Sequence, residues 1–476
     1  MDRGGFSMFD DTTTMPFSVI SKVEFLKFFN LHDIDIDTFS ISRIDNELII
    51  DVSLSKQPTK CPCCLNITSK VKDYSSKKIT HSILNNSKCT IIYHARRYVC
   101  PRCKKTFYEH NPFTMAGSKL SLATVYNVLN ELKNPSSTFI SVAKRFHISP
   151  TTVANVFDSF VSIPRKRLPE YICIDEVYAF KSENSKYICV LVDFKTHDII
   201  DVLPSRQKRT LMDYFFAIPI EERKQVKVIS FDMWETYRVI SNIMFPKAVC
   251  AIDRFHVMQE FTKRFNRVRV DVMNKYYQRQ KYLERKEKLT IIEKTELVEA
   301  KQKYYLLKKF NWLLTSNDKR ITDPNVEKKY NKALGTYHNY YSLYSSIIEN
   351  DPILENAVIL KSELDDFYKN STIETAKANI ELLIREFNQS TIKEMNNFSN
   401  TLIKWKYEII NSFTVVNNKR ITNGIIENRN KSIKLLKHSS NGYLNWKRFR
   451  NRIMFSLNKD STYHMYPIRD SNISND

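Results

Sequence analysis

The sequence predicts a multidomain chain of α/β plus α class, and three observations carry that prediction. Length comes first: 476 residues, 42% of them hydrophobic, exceed what one ordinary domain holds. Next, short β-branched segments alternate with helical pattern through the middle of the chain, which marks a sheet with helices packed on it. Last, a long stretch rich in Lys, Glu, Tyr and Leu keeps helical period after those strands. Composition shifts set boundaries at 1–112, 113–165, 166–256 together with 414–458, an inserted all-α segment 257–413, and a tail over 459–476.

Region 1–112 reads as strands carrying cysteines in pairs. Cys61 and Cys64 form one C-x-x-C and Cys100 and Cys103 another, a spacing that lets two knuckles set four thiolates around one structural Zn²⁺. Four unrelated buried cysteines are the alternative. Cys63 and Cys89 are spare, Cys63 being able to replace a neighbour as ligand, and Cys173, Cys189 and Cys250 fall in strand patterns as core residues. Arg96, Arg97, Lys104 and Lys105 put cations beside the second knuckle, with Tyr98 and Phe107 among them, which suggests a face for a phosphate backbone.

Region 113–165 holds a second module from Ser136 to Phe160. One helix ends at His147, and Ser149 caps a new one with Pro150 in its first turn. The pattern is that of a helix-turn-helix, in which Thr151, Thr152 and Asn155 face base edges while Lys144 and Arg145 touch phosphates. A plain helical hairpin has the same outline.

Charge agrees with a polyanionic partner. Lys and Arg number 74 against 52 Asp and Glu, a formal net charge of +22. A merely basic protein has the same sum, so the placement of the cations has to decide. No apolar run approaches a membrane span, and the opening MDRGGFSMFDDTTTMPFSVI lacks a basic flank followed by a continuous apolar stretch. An intracellular protein with no membrane partner is expected. Nine cysteines fit a reducing compartment if some of them bind metal, and six glycines argue against a low-complexity chain.

From Tyr171 to Asp253 the strands are YICIDEVYAF, KYICVLVDF, DIIDVL, VKVISFD and AVCAID, with the helical QKRTLMDYFFAI between the third and fourth. Three strands, a helix, a strand, a helix and a fifth strand make a mixed sheet whose first three members form a meander. That order is the one of a ribonuclease-H-like core. Asp175 lies inside the first strand and Asp232 at the end of the fourth, which are neighbours in this order. Carboxylates so placed can share two hard cations, Mg²⁺ or Mn²⁺. Asp232 also has the position of a helix or turn cap. A third carboxylate has to come from a helix packed beside those strands, and Glu427 in TNGIIENRNKSIK suits it. Asn430, Lys431 and Lys434 follow at three, four and seven residues on the same face, placed to meet a DNA strand. A surface ion pair between Glu427 and Lys431 is the alternative.

Taken together these segments resemble a known family, the DDE transposases of bacterial insertion sequences and specifically their ISL-three group. The resemblance runs from FFNLHDIDI at Phe28 through CPCC, RRYVCPRCKKTF, the helix-turn-helix, IDEV, SFDMWETY, AIDRFH and TNGIIENRNKSIK to NGYLNWKRFRNRI. It implies that Asp175, Asp232 and Glu427 are the catalytic carboxylates. It also implies that Asp253 and His256, as a D-x-x-H, support the scissile phosphate or the geometry of the site. The implied activity is metal-dependent cleavage and strand transfer at terminal inverted repeats, on target DNA, by a homodimer in a bacterial cytoplasm at the nucleoid. Two departures stand out: Asn428 where the family often has Gly, and the basic pair Lys437 and His438. A non-catalytic DNA-binding regulator and a structure-selective nuclease are the rival readings.

Overall fold

The computed structural model describes residues 22–44, 47–82, 88–181, 185–316, 321–349, 351–440 and 442–468. The opening segment 1–20 and the last residues of the tail lie outside them. The described chain is a mixed α/β protein with a cysteine cluster near its N-terminus. It divides into two compact units: 1–163 with 438–441 and 447–476, and 164–437 with 442–446.

The first unit starts with helix α1 (Lys22–Phe28), then strands β1 (Ile36–Ile44), β2 (Glu47–Leu54), β3 (Val71–Thr80), β4 (Lys88–Val99) and β5 (Thr106–Tyr108). Their sheet runs β1-β2-β4-β3, with β5 also on β4. Cys89, Ile91, Tyr93 and Ala95 of β4 alternate inward against Phe25, Phe29 and Phe113, as the two-residue period of a strand demands. Helices α2 (Leu122–Lys133), α3 (Phe139–Arg145) and α4 (Pro150–Phe160) follow. His147 makes the turn before α4 with φ of +52°, and Ser149 Oγ then accepts the Thr152 amide at 3.0 Å, the cap the sequence pattern predicts.

A last helix of this unit changes a boundary. The pattern joins 414–458 into the catalytic core, yet Phe455 of the helix Trp446–Leu457 sits in one apolar cluster with Val128, Val153 and Phe157 of α2 and α4. The buried guanidinium of Arg452 donates to the carbonyls of Leu132, Asn134 (2.9 Å) and Ser137 (2.6 Å). Arg448 pairs with Asp158 at 2.6 Å. Residues 447–468 therefore buttress helices α2, α3 and α4, because their apolar stripe matches that bundle.

The second unit is built on a sheet of β6 (Tyr171–Tyr178), β7 (Tyr187–Asp193), β8 (Ile199–Leu203), β9 (Val228–Phe231) and β10 (Val249–Ile252). Its order is β8-β7-β6-β9-β10. The first three strands pair antiparallel, while β6, β9 and β10 run parallel. Helix α5 (Lys208–Phe216) links β8 towards β9, and α6 (Glu235–Met244) links β9 to β10. Near-continuous burial along β7, β8 and β9 fits a sheet covered on both faces. Helices α7 (Arg254–Glu284), α8 (Ile291–Lys309), α9 (Tyr340–Glu349), α10 (Pro352–Asn370), α11 (Ala376–Gln389) and α12 (Lys393–Lys404) form the insertion. The insertion is not all-α as expected: Lys329–Asn331 and Thr336–His338 pair as a hairpin, closed by Gly335 at φ of +71°. A run that short carries no strand period for a sequence reading to detect. After a further helix, Lys406–Asn411, helix α13 (Gly424–Ser439) returns to this unit as far as Lys437. Among the described residues no helix is long and apolar enough to cross a membrane.

Candidate active site and metal centre

In the first unit the two knuckles meet. The Sγ atoms of Cys61, Cys64, Cys100 and Cys103 all lie within 4.8 Å of one another, with Cys61 to Cys103 and Cys64 to Cys100 at 3.5 Å. That is far beyond a disulfide and close to the roughly 3.8 Å edge of a tetrahedron with metal–sulfur bonds of about 2.3 Å. Backbone amides of Arg102 and Cys103 point at Cys100, and the Cys103 amide chiefly draws its thiol down to about 6. A thiolate is the form that binds metal. The cluster can hold a metal ion. Cys63 is exposed outside it, and Cys89 is buried in the sheet.

The proposed phosphate face beside the knuckles needs one correction. Arg96 is 4% exposed, its guanidinium held by Asp37 at 3.0 Å, by Glu109 and by the Leu54 carbonyl, so it is a core residue with no face for DNA. Arg96 breaks the parity set by Cys89, Ile91, Tyr93 and Ala95: Ala95 and Arg96 are both buried, so β4 is covered on both faces at this point, and alternation alone does not show it. Arg97 is half-buried and pairs with Asp73 at 2.9 Å. Lys104 and Lys105 are exposed at the second knuckle. On the helical module Thr151, Asn155 and Lys144 are exposed, Arg145 pairs with Glu131 at 2.8 Å, and the Thr152 hydroxyl meets Ser149 Oγ at 2.8 Å in the cap.

In the second unit the sheet register brings two carboxylates together. The pairing of β6 with β9 ends at Ser230 opposite Cys173. Asp175, within β6, and Asp232, just past the end of β9, each lie two residues further on along these adjacent parallel strands, so both point to the same side. Burial pushes the Asp175 carboxyl up to about 7, and the charges of Glu176, Asp232 and Glu427 add to that. Burial likewise lifts Asp232 to about 6, with Glu176 adding and Arg206 opposing. Neighbouring like charges that resist ionisation are the mark of a shared site.

Helix α13 closes the third side. Asp253, only 4% exposed, accepts from the Asn423 amide at 2.6 Å and from Thr422 Oγ1 at 3.1 Å, and Ser230 Oγ donates to Asn423 Oδ1 at 2.7 Å. These bonds tie the start of α13 to the strands that carry the aspartates. Glu427 sits in its first turn. Asn430, expected to meet DNA, is instead 6% exposed and donates through Nδ2 to Asp175 Oδ2 at 2.8 Å. It lies one turn beyond Glu427, on the inward side of the helix, which corrects its reading. Lys431 and Lys434 are exposed on the same helix. His256 stands in the first turn of α7, its pKa lowered chiefly by burial.

A residue cluster the sequence reading left unassigned borders this site. Arg206 forms an ion pair with Glu176 and stacks on the rings of Tyr187 and Trp234 at 4.6 and 4.9 Å, while Tyr237 donates to Glu176 Oε2 at 3.1 Å. An arginine in a loop after the third strand gives no periodic signal. Asp232 Oδ1 and His256 Nε2 are buried without a hydrogen-bond partner among the described residues. An orphaned carboxylate oxygen among mutually repelling carboxylates fits a hard divalent cation.

The stretch that carries this sheet and its carboxylates is that of a transposase: residues 172–453 match the model of the family DDE_Tnp_ISL3, described as Transposase. The chain belongs to this ISL3 family of DDE transposases. Over 275 residues, 58% of the chain, it is 23% identical to the "Transposase for insertion sequence element IS1001" of Bordetella parapertussis. That match spans 57% of the relative's own length.

Proposed function

We propose that the chain is an insertion-sequence transposase that binds the terminal inverted repeats of its element and catalyses metal-dependent cleavage and strand transfer of DNA. The observation that carries this reading is the approach of Asp175, Asp232 and the Glu427 helix on one side of a sheet of ribonuclease-H-like order. Asp175, Asp232 and Glu427 would hold two Mg²⁺ or Mn²⁺ ions. Such ions activate the attacking water or hydroxyl and stabilise the leaving oxygen at phosphorus. Asn430 fixes one oxygen of Asp175, and Asp253 sets where α13 begins. His256, whose Nε2 has no hydrogen-bond partner among the described residues, supports the scissile phosphate, while Lys431 and Lys434 hold the strand.

The four cysteines would bind one Zn²⁺ that keeps the N-terminal sheet in shape. Helix α4 reads the terminal repeat through Thr151, Thr152 and Asn155, with Lys144, Arg145, Arg97, Lys104 and Lys105 on phosphates. The partners are the terminal repeats and target DNA, and a homodimer pairs two ends, at the nucleoid of a bacterial cytoplasm. The test is incubation of the protein with the DNA ends of its own element and Mg²⁺, with mapping of the cleaved strands. Cleavage at the element boundary is expected, and binding without any cleavage in Mg²⁺ or Mn²⁺ would overturn the catalytic reading.

A further inference from the structure

Beside the carboxylates the insertion lines an open cavity of about 660 Å³ that reaches Asp232 and His256. One wall is α7 with Gln259 and Lys263, four residues apart on one face; the other is α12 with Asn397, Asn400, Thr401 and Lys404 on the matching stripe. Gln259, Asn397, Asn400 and Thr401 make no side-chain hydrogen bond among the described residues, although three of them carry amides that both donate and accept. Such groups on an aqueous surface are ordinary, and Gln259 and Asn400 are exposed, but here four of them line one cleft beside the carboxylates. The cations beside them are partly engaged: Lys404 with Glu235 at 3.1 Å, Arg264 with Glu260 at 3.2 Å and Lys263 with Glu260 at 3.8 Å.

We propose that this cavity takes the base of the nucleotide adjoining the scissile phosphate, turned out of its stack and read by Asn397, Asn400 and Gln259. The inference rests on the catalytic reading above and adds a specificity site to it. Its size is that of a pocket for one small ligand and too small for a duplex. The lining sets amides that both donate and accept, which match a base edge, beside the cations Lys263, Arg264 and Lys404, which match the phosphate attached to it. Because the cavity opens on Asp232, an occupant's own phosphate reaches the carboxylates. A base inside a duplex cannot enter, so the strand must be unstacked at that step. The insertion then acts as the wall that selects which nucleotide sits at the cut, and no longer as a spacer between β10 and the Glu427 helix.

The test uses the full chain and end DNA carrying 2-aminopurine on either the 5′ or the 3′ side of the scissile phosphate. With Ca²⁺ as the probe ion, a several-fold rise in emission on binding is expected at one of the two positions, and that position identifies the occupant. The double variant Asn397→Ala, Asn400→Ala should lose this rise. It should also slow cleavage of the preferred end and bring the rate ratio among the four bases there from about tenfold or more towards one. If the double variant does not fold, Asn400→Asp, which exchanges a donor for an acceptor at the same shape, should change the preferred base. Unchanged emission at both positions, or an unaltered base ratio in these variants, overturns the proposal while cleavage by the wild type still stands. Binding with an emission rise but no cleavage in any divalent ion instead overturns the catalytic reading and leaves the pocket in place.

Discussion

Asn430 Nδ2 donates to Asp175 Oδ2 at 2.8 Å, joining the helix that carries Glu427 to the strand that carries the first aspartate. A neutral donor here fixes the carboxylate without competing with a cation for charge. Asn430→Ala should reduce cleavage by about 10- to 100-fold, the usual loss when a group that orients a metal ligand is removed. End binding should persist. Because the role is positional, the Mg²⁺ concentration needed for half-maximal cleavage should rise as well. Cleavage titrated with Mg²⁺ checks both, and an unchanged requirement would reduce Asn430 to a packing residue.

Asp175→Ala, Asp232→Ala and Glu427→Gln should each take cleavage below detection with end binding intact, since each removes a ligand from a shared site. Normal cleavage by Glu427→Gln would mean that the third ligand is misassigned. Glu176→Gln is the informative control. Glu176 spends its carboxylate on Arg206 and Tyr237, so its loss should act on the position of Asp232 and leave partial activity.

Much of this was legible before any coordinates. Strand alternation gave the five-membered sheet, because Asp175 and Asp232 lie in or just beyond β-branched runs whose order is a local property of the chain. The paired C-x-x-C motifs marked the four-cysteine cluster for the same reason. What sequence could not supply was facing. Arg96 has the composition of a phosphate contact and the outward parity of its strand, but the partners Asp37 and Glu109 bury it and make it core. Asn430 sits in a polar stretch whose inward side is set by a strand more than two hundred residues earlier. The destination of the last helix depended on Arg452 finding the carbonyls of Leu132, Asn134 and Ser137, a long-range fit with no local pattern.

Elemental analysis of the purified protein should find one zinc per chain. Cys100→Ser should lose it and lower the melting temperature of the first unit, since thiolate ligation couples metal binding to folding. Folded protein free of zinc would leave the four cysteines as packing residues.

His81 gives a pH dependence to the same unit. It is fully buried among Phe25, Phe28 and Phe29, with Nδ1 at 2.8 Å from Ser121 Oγ, and burial pushes its pKa down from 6.5 to about 4. Between those values the unfolded chain binds the proton and the folded one does not, so stability is full above pH 6.5 and falls as pH drops towards 4. The loss at the lower limit is about 3 kcal/mol. His81→Phe should flatten that acid limb relative to wild type in melts between pH 7 and pH 4.5. Parallel curves for the two proteins would assign the acid sensitivity to carboxylates elsewhere.

Reading and cutting should fail separately, because the exposed Asn155 lies on α4 of one unit and the exposed Lys434 on α13 of the other. A good bidentate contact to a base edge discriminates by about 1–3 kcal/mol, so Asn155→Ala should lose roughly tenfold of the preference for terminal repeat over random DNA. Phosphate contacts carry no sequence information. Lys434→Ala should therefore weaken binding to all DNA alike and reduce the salt slope by about one. Its larger cost should fall on cleavage, since a cation two turns along the helix from Glu427 positions the strand rather than naming its sequence. Competition binding at several salt concentrations, run beside cleavage assays, separates the two. An Asn155→Ala protein with its preference unchanged would move the reading function from α4 to the exposed lysines of the cysteine knuckle, Lys104 and Lys105.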